Sequence, residues 1–171
     1  GFNIDIIHEL AKEMNVEIIV KLGDWVQIRK ELEIDGTIDF SDMFYSEKRD
    51  SIVDYAYPHD IIFNKVYLHK TSPPILEIST LNHKKVAVLR GSVLEEYLQA
   101  KFPEINLIPQ GTESEAIHLV SEKLCDAAIV TNVSGKELLK ESKVNNVIGY
   151  GNMILPSEYC FVVKEGNTQL L

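Results

Sequence analysis

The sequence predicts an α/β protein whose two halves can form two lobes, and three observations predict it. From Val86 to Tyr150, strand-like and helix-like stretches alternate without a break, the pattern of a parallel sheet with crossover helices. Three helix starts in that stretch carry a hydroxyl residue followed three positions later by Glu: Ser92 with Glu95, Thr112 with Glu115, and Ser134 with Glu137. Midway along the chain, Thr71-Ser72-Pro73-Pro74 stops both strand and helix, because proline fixes its φ and lacks an N–H.

Taken in order, Phe2, Ile6, Ile7, Leu10, Ala11 and Met14 recur at helical spacing and predict a helix that stops near Asn15, a residue tolerant of the left-handed conformation. The β-branched run Val16 to Lys21 reads as a strand. Asp24 is placed to cap a short helix through about Glu33, and Asp35-Gly36 turns the chain into a second strand, Thr37 to Ser41. A loop from Asp42 to Tyr45 follows, and Ser46 can cap a helical turn that carries Arg49. Ile61 to Lys70 alternates like a strand. The second half reads as strand Val86 to Leu89, helix Val93 to Phe102, strand Ile105 to Ile108, helix Glu113 to Lys123, strand Asp126 to Val130, helix Gly135 to Glu141 and strand Val147 to Tyr150. Tyr159 to Lys164 is a further strand-like stretch that can return the chain to the first half. With Ile61 to Lys70 it would form a two-strand hinge. Asn167 to Leu171 looks like the first turn of a helix, and the opening without Met suggests a segment of a longer protein.

The 171 residues are 45% hydrophobic and 25% charged, an ordinary globular composition. Seventeen basic against 26 acidic residues give a net charge of -9 without any offsetting basic cluster, which argues against nucleic acid or an anionic membrane surface as partner. No apolar run approaches the roughly 18 to 20 residues of a membrane span, and there is no signal peptide. Cys125 and Cys160 read as two buried thiols, neither a disulfide scaffold nor a CxxC pair. Hydrolase, nucleotide-binding and zinc-protease motifs are missing, and His8, His59, His69, His83 and His118 lack metal-ligand spacing, so no cofactor or metal is expected.

In open parallel α/β sheets, ligands bind beyond the carboxyl ends of strands, where helix N-termini present free N–H groups. Here those positions are Gly23 to Trp25, Asp42 to Ser46, Gly91-Ser92, Gly111-Thr112 and Thr131-Asn132. Arg49 lies one turn beyond the second. A guanidinium can donate two parallel bonds to a carboxylate, although on spacing alone a surface Arg paired with Asp50 or Glu47 is the better reading. Trp25 can be a core aromatic, and Asp42 a solvated loop acid.

Ser41-Asp-Met-Phe-Tyr-Ser-Glu-Lys-Arg-Asp-Ser-Ile-Val-Asp-Tyr55 resembles the S-x-M-S-I-T-x-x-R-x-x-x-V-D-F motif of the family-3 extracellular solute-binding proteins. Gly1-Phe-Asn-Ile-Asp5, Val86-Ala-Val-Leu-Arg-Gly-Ser92 and Asp126-Ala-Ala128 resemble, in the same order, that family's G-F-D-I-D, V-G-V-x-x-G-T/S and D-A-A segments. The resemblance implies the two-lobed type II periplasmic binding protein fold, each lobe a sheet flanked by helices, with residues 1–69 and 161–171 as lobe 1, 70–160 as lobe 2, and two hinge strands between them. It implies a cleft in which Arg49 binds an amino acid's α-carboxylate beside Ser46, Ser92 supplies the second lobe's hydroxyl at a helix N-terminus, and Asp42, Met43 and Phe44 form a loop that touches the ligand; Trp25, Gly91, Thr131 and Asn132 join them as candidates from the strand-end positions. Where amino-acid binders place an acid for the ammonium, this chain has Thr131, which argues for ligands without an ammonium.

The MFYSEKR form of the motif, with Gly23-Asp-Trp25 and Pro156-Ser-Glu-Tyr-Cys-Phe-Val-Val163, looks more like the sensor domains of membrane-bound histidine kinases than like transport proteins. The resemblance therefore implies a binding module and not an enzyme. It would sit on the periplasmic or extracellular face of the cytoplasmic membrane, take a carboxylate-bearing small molecule, meet the membrane only through segments outside these residues, and be compatible with pairing of two copies in a full receptor. The binding protein of an ABC amino-acid transporter is the alternative, and a dehydratase-type enzyme on the same scaffold ranks third.

Overall fold

The structure, a computed structural model, describes residues 2–141 and 144–170, with the side chains of Phe2 and Thr168 left aside. It opens with helix α1 (Phe2–Met14) and α2 (Trp25–Lys30), which continues into a π-helical turn, Glu31–Asp35. Strands β1 (Phe40–Phe44), β2 (Val53–Tyr55) and β3 (Asp60–His69) follow. Then come β4 (Lys85–Leu89), α3 (Val93–Lys101), β5 (Asn106–Gln110), α4 (Glu113–Ser121), β6 (Ala127–Thr131), α5 (Asn132–Glu141) and the long β7 (Val147–Lys164).

All the strands belong to one mixed sheet of order β1-β7-β3-β6-β4-β5, with β2 also on β7. Around β4 the pairing is parallel, with Val86 opposite Leu107 and Ala127. Elsewhere it is antiparallel, and β3 and β7 run beside each other from His69 opposite Val147 to Asp60 opposite Tyr159. That ladder carries register shifts between Ile62 and Val66, and β7 bends through positive φ at Gly151 (68°) and Leu155 (47°). These breaks let one strand of 18 residues serve both ends of the sheet. The predicted strands Val147 to Tyr150 and Tyr159 to Lys164 are its two ends.

Period-2 alternation sorts the β4–β6 side into two cores, one on each face. Val66, Leu68, Val86, Val88, Ala127 and Ile129 pack against Leu94 and Leu98 of α3. Tyr67, Ala87, Ala128 and Val130 pack against Ala116, Ile117 and Val120 of α4. Each fully buried aliphatic side chain here is worth about 1.5–3 kcal/mol relative to exposure. The β1–β2 side has a smaller core of Leu32, Met43, Val53 and Val162.

Several expectations are corrected. The run Val16 to Lys21 forms no strand. No strand lies beside it among the described residues, so its N–H and C=O groups have no ladder, and Ile19 and Leu22 stay exposed at 89% and 86%. The second strand begins at Phe40 rather than Thr37 and absorbs most of the expected Asp42 to Tyr45 loop, because Phe40 to Phe44 pair with Val163 to Tyr159 of β7. Of the capping boxes, Thr112 with Glu115 is complete, whereas Ser92 accepts from Glu95 N while the Glu95 carboxylate turns to Gly91 N. The third is absent: α5 starts at Asn132, three residues before the expected Gly135, and Glu113 of α4 accepts from the N–H of Thr131 at its entrance. Asn15 does stop α1 in the left-handed region, at φ 54°. Cys125 and Cys160 are buried free thiols, and burial pushes both above the ordinary thiol range.

Candidate functional site

β4 ends at Leu89, and two residues on Gly91, with a φ of 68°, turns the chain into α3 at a cost only glycine avoids. The turn leaves the Gly91 carbonyl facing the β1–β2 side, where it accepts from three side chains: Arg49 Nη2 at 2.9 Å, Trp25 Nε1 at 3.2 Å and Arg29 Nη1 at 3.3 Å. Trp25 and Arg29 lie one turn apart on α2, and Glu33 holds Arg29 by two bonds, 2.6 and 3.1 Å. Arg49 arrives on the turn after β1, where its N–H bonds Ser46 O at 2.8 Å.

The same Arg49 Nη2 meets Glu96 Oε1 of α3 at 2.9 Å. Arg49 is 1% exposed, so the expectation that it lines an open cleft is corrected: α2 and the β1–β2 turn close directly onto the β4–α3 turn. Its Nε is buried without a partner. A buried donor left unpaired costs about 1–3 kcal/mol, and an Arg removed from water needs an anion beside it. Neither Asp50 nor Glu47 is that anion.

A second group gathers where β1 meets β7. Asn3 of α1 donates through Nδ2 to the Asp42 carboxylate and to Tyr159 Oη, the latter at 3.3 Å. The Phe44 and Tyr159 rings lie 4.8 Å apart, and His59 stacks on Phe161 at 4.4 Å with both ring nitrogens buried and unpartnered. Burial, then the Asp42 charge, pushes the Tyr159 phenol far above its ordinary range.

The third group stands at the carboxyl end of β6. Glu113, the first residue of α4, accepts from Thr131 N at 2.8 Å and Thr131 Oγ1 at 3.0 Å, with Ser134 also bonded to it. Burial raises its carboxyl above the usual range, and these bonds oppose the rise. Its charge also adds, as the smallest contribution, to the pressure against ionising the Tyr159 phenol. Asn132 keeps its Oδ1 buried and unpartnered, with Nδ2 4.0 Å from Met153 Sδ.

Of the residues singled out in the sequence, Trp25, Arg49 and Gly91 come together, Asp42 and Phe44 form part of the second group, and Thr131 and Asn132 part of the third. Three are placed elsewhere. Met43 is 1% exposed in the core between Leu32 and Val53, because alternation along β1 turns it away from Asp42 and Phe44. Ser46 meets Arg49 through its backbone carbonyl. Ser92 spends its hydroxyl on Glu95 N. Sequence reasoning missed Asn3, Arg29, Glu96, Glu113 and Tyr159. Arg29 and Glu96 could have been found by stepping one helical turn from Trp25 and Ser92, and Glu113 as the residue after a cap at a strand's carboxyl end. Glu113 also corrects the expectation that Thr131 leaves no acid here: the carboxylate comes from α4. Among the described residues no cluster of three or more His, Cys, Asp or Glu could hold a metal.

No curated protein matches the chain. Among solved structures it is similar to a histidine kinase sensor domain with similarity to periplasmic binding proteins, at 27% identity and TM-score 0.95, over 99% of this chain and 75% of that one. It is also similar to an ancestral arginine-binding protein bound to glutamine (25%, TM-score 0.90, 99% and 76% covered) and to the substrate-binding protein of an amino acid ABC transporter (26%, TM-score 0.87, 99% and 76% covered). The profile of the bacterial extracellular solute-binding proteins, family 3, matches residues 1–171, and the chain belongs to that family.

Proposed function

We propose that this domain is the ligand-sensing module of a membrane signalling receptor on the periplasmic side. It binds an amino-acid-like small molecule between two lobes, 1–69 with 161–171 and 70–160, and acts by binding alone, without catalysis. The observation that carries the reading is Arg49, a buried guanidinium aimed at the N-terminus of α3 with a carboxylate, that of Glu96, already on it. A position that stabilises one carboxylate stabilises another of the same geometry, and the α3 N-terminus favours the same charge. At the other end, Glu113 and Asp42 offer negative charge to a cationic group, with the Phe44 and Tyr159 rings as walls. Likeness to a histidine kinase sensor domain favours sensing, and likeness to a transporter's binding protein keeps transport as the second reading.

The test is calorimetry with L-glutamine and L-arginine, the ligands of the similar binding proteins. Arg49→Ala should lose about 2–5 kcal/mol of binding, since the ligand's carboxylate would be desolvated without its partner. Arg49→Lys should recover only part, because a point charge cannot reproduce the guanidinium fork. Equal affinity in wild type and Arg49→Ala would return Arg49 to a purely structural role.

A further inference from the structure

We infer that Glu96 is an internal stand-in for the ligand's carboxylate, held on Arg49 until a ligand displaces it, and that it thereby sets both the ligand affinity and the closure of the empty domain. The inference rests on the reading of Arg49 as a carboxylate receptor, but its core is a contact between residues 47 positions apart, one on the turn after β1 and one on α3.

Three details mark Glu96 as a displaceable occupant. It makes one bond to the guanidinium, Nη2 to Oε1 at 2.9 Å, and shares that nitrogen with the Gly91 carbonyl. Arg49 Nε is buried and unpartnered, so one donor on the fork is unused. An arriving carboxylate that takes two donors gains a bidentate pair where Glu96 has a single bond. Arg49 itself is 1% exposed, but the Glu96 side chain is 30% exposed and can swing into water by a rotamer change without unwinding α3.

The contact also bears on closure. Gly91 O and Glu96 on α3 receive Arg49, while Trp25 and Arg29 of α2 add their bonds to the same carbonyl. Without Glu96, the closed arrangement would bury Arg49 with no anion, and parting the two sides to hydrate it becomes the cheaper state. Because the competitor is tethered, every ligand pays for its displacement, and apparent affinity falls by the fraction of Arg49 left unoccupied.

The experiment places spin labels at Glu13 of α1 and Lys101 of α3, both exposed, and measures their distance without ligand in wild type, Glu96→Ala and the exchanged pair Arg49→Glu with Glu96→Arg. Acetate and L-glutamine are then titrated against wild type and Glu96→Ala. Expected are one short distance in wild type, a distance longer by several ångström and broader in Glu96→Ala, recovery in the exchanged pair, and about tenfold tighter probe binding in Glu96→Ala. A longer distance with no binding of either probe supports the latch and overturns the carboxylate-receptor reading of Arg49. An unchanged distance in Glu96→Ala overturns the inference whatever the probes do.

Discussion

The two ends of the sheet are built to different standards. On the β4–β6 side, both faces of the strands are covered by α3, α4 and α5, and two clusters alternate residue by residue through β3, β4 and β6. On the β1–β2 side, one small cluster around Leu32 serves, and the segment between α1 and α2 leaves Val16, Ile19, Val20 and Leu22 at 50%, 89%, 42% and 86% exposure. On the proposed function, stability and binding are thereby separated. The β4–β6 side presents the Gly91 carbonyl and Glu113 from a sheet covered on both faces, whereas the β1–β2 side brings the cations Arg29 and Arg49 to the Gly91 carbonyl on helix and turn.

The comparison breaks or holds first on core truncation. Leu98 is fully buried between β4 and α3, and Leu32 is equally buried under β1. Leu98→Ala should cost about 3–4 kcal/mol, since packed neighbours cannot collapse into the cavity, and Leu32→Ala about 2, since its smaller cluster and π-helical turn can relax. Denaturant unfolding of both variants checks this. Equal losses would mean that the small core is as rigid as the large one.

Overfilling sharpens the same point from the other direction. α5 touches β3 at Gly135, where an added Cβ would lie 2.3 Å from the Tyr67 ring. Tyr67 is 3% exposed and has nowhere to move, so Gly135→Ala should cost about 1–3 kcal/mol in spite of alanine's better helix propensity. At Gly166, where a Cβ meets nothing within 4 Å, overpacking cannot arise, although its φ of 85° still penalises a side chain. A Gly135→Ala melting temperature at or above wild type would show that α5 floats on the sheet.

The same division explains what could be read from the sequence. α3, α4, β5 and β6 begin within a residue of expectation, because each carries its own alternating or helical face and β5 and β6 both join β4, less than 50 residues away. β1 was misplaced because its partner is β7, more than 100 residues on, and nothing in Thr37 to Phe44 announces that pairing. The site divides likewise. Arg49, Trp25 and Gly91 were legible as residue types at strand ends, but what they touch was not, because Arg49 to Glu96 and Glu113 to Thr131 are contacts between elements. Thr131 read as a missing acid since a sequence shows the position and not the side chain that leans over it.

The smallest expected effect concerns a buried carboxyl on the well-packed side. Glu113 is raised above its ordinary 4.5, first by burial, against bonds from Thr131 and Ser134 that favour the charged form. A carboxyl raised on folding makes the folded state bind more protons than the unfolded one, so its contribution to stability is greatest below about 4.5. That contribution is lost as pH rises through the folded value, the reverse of the usual salt-bridged acid. Glu113→Gln keeps an oxygen to accept from Thr131 N and removes the charge, while its amide NH2 takes the place of the second oxygen and donates to the Thr131 hydroxyl instead of accepting from it. The difference in unfolding free energy, variant minus wild type, should therefore climb from pH 4.5 upward and level off once Glu113 is ionised. Saturating L-arginine should shrink the climb in wild type if its cationic group settles beside Glu113, since a neighbouring positive charge favours ionisation. A flat difference from pH 4 to 8 would mean that Glu113 is hydrated in the folded state, and its place as the charged end of the site would go with it.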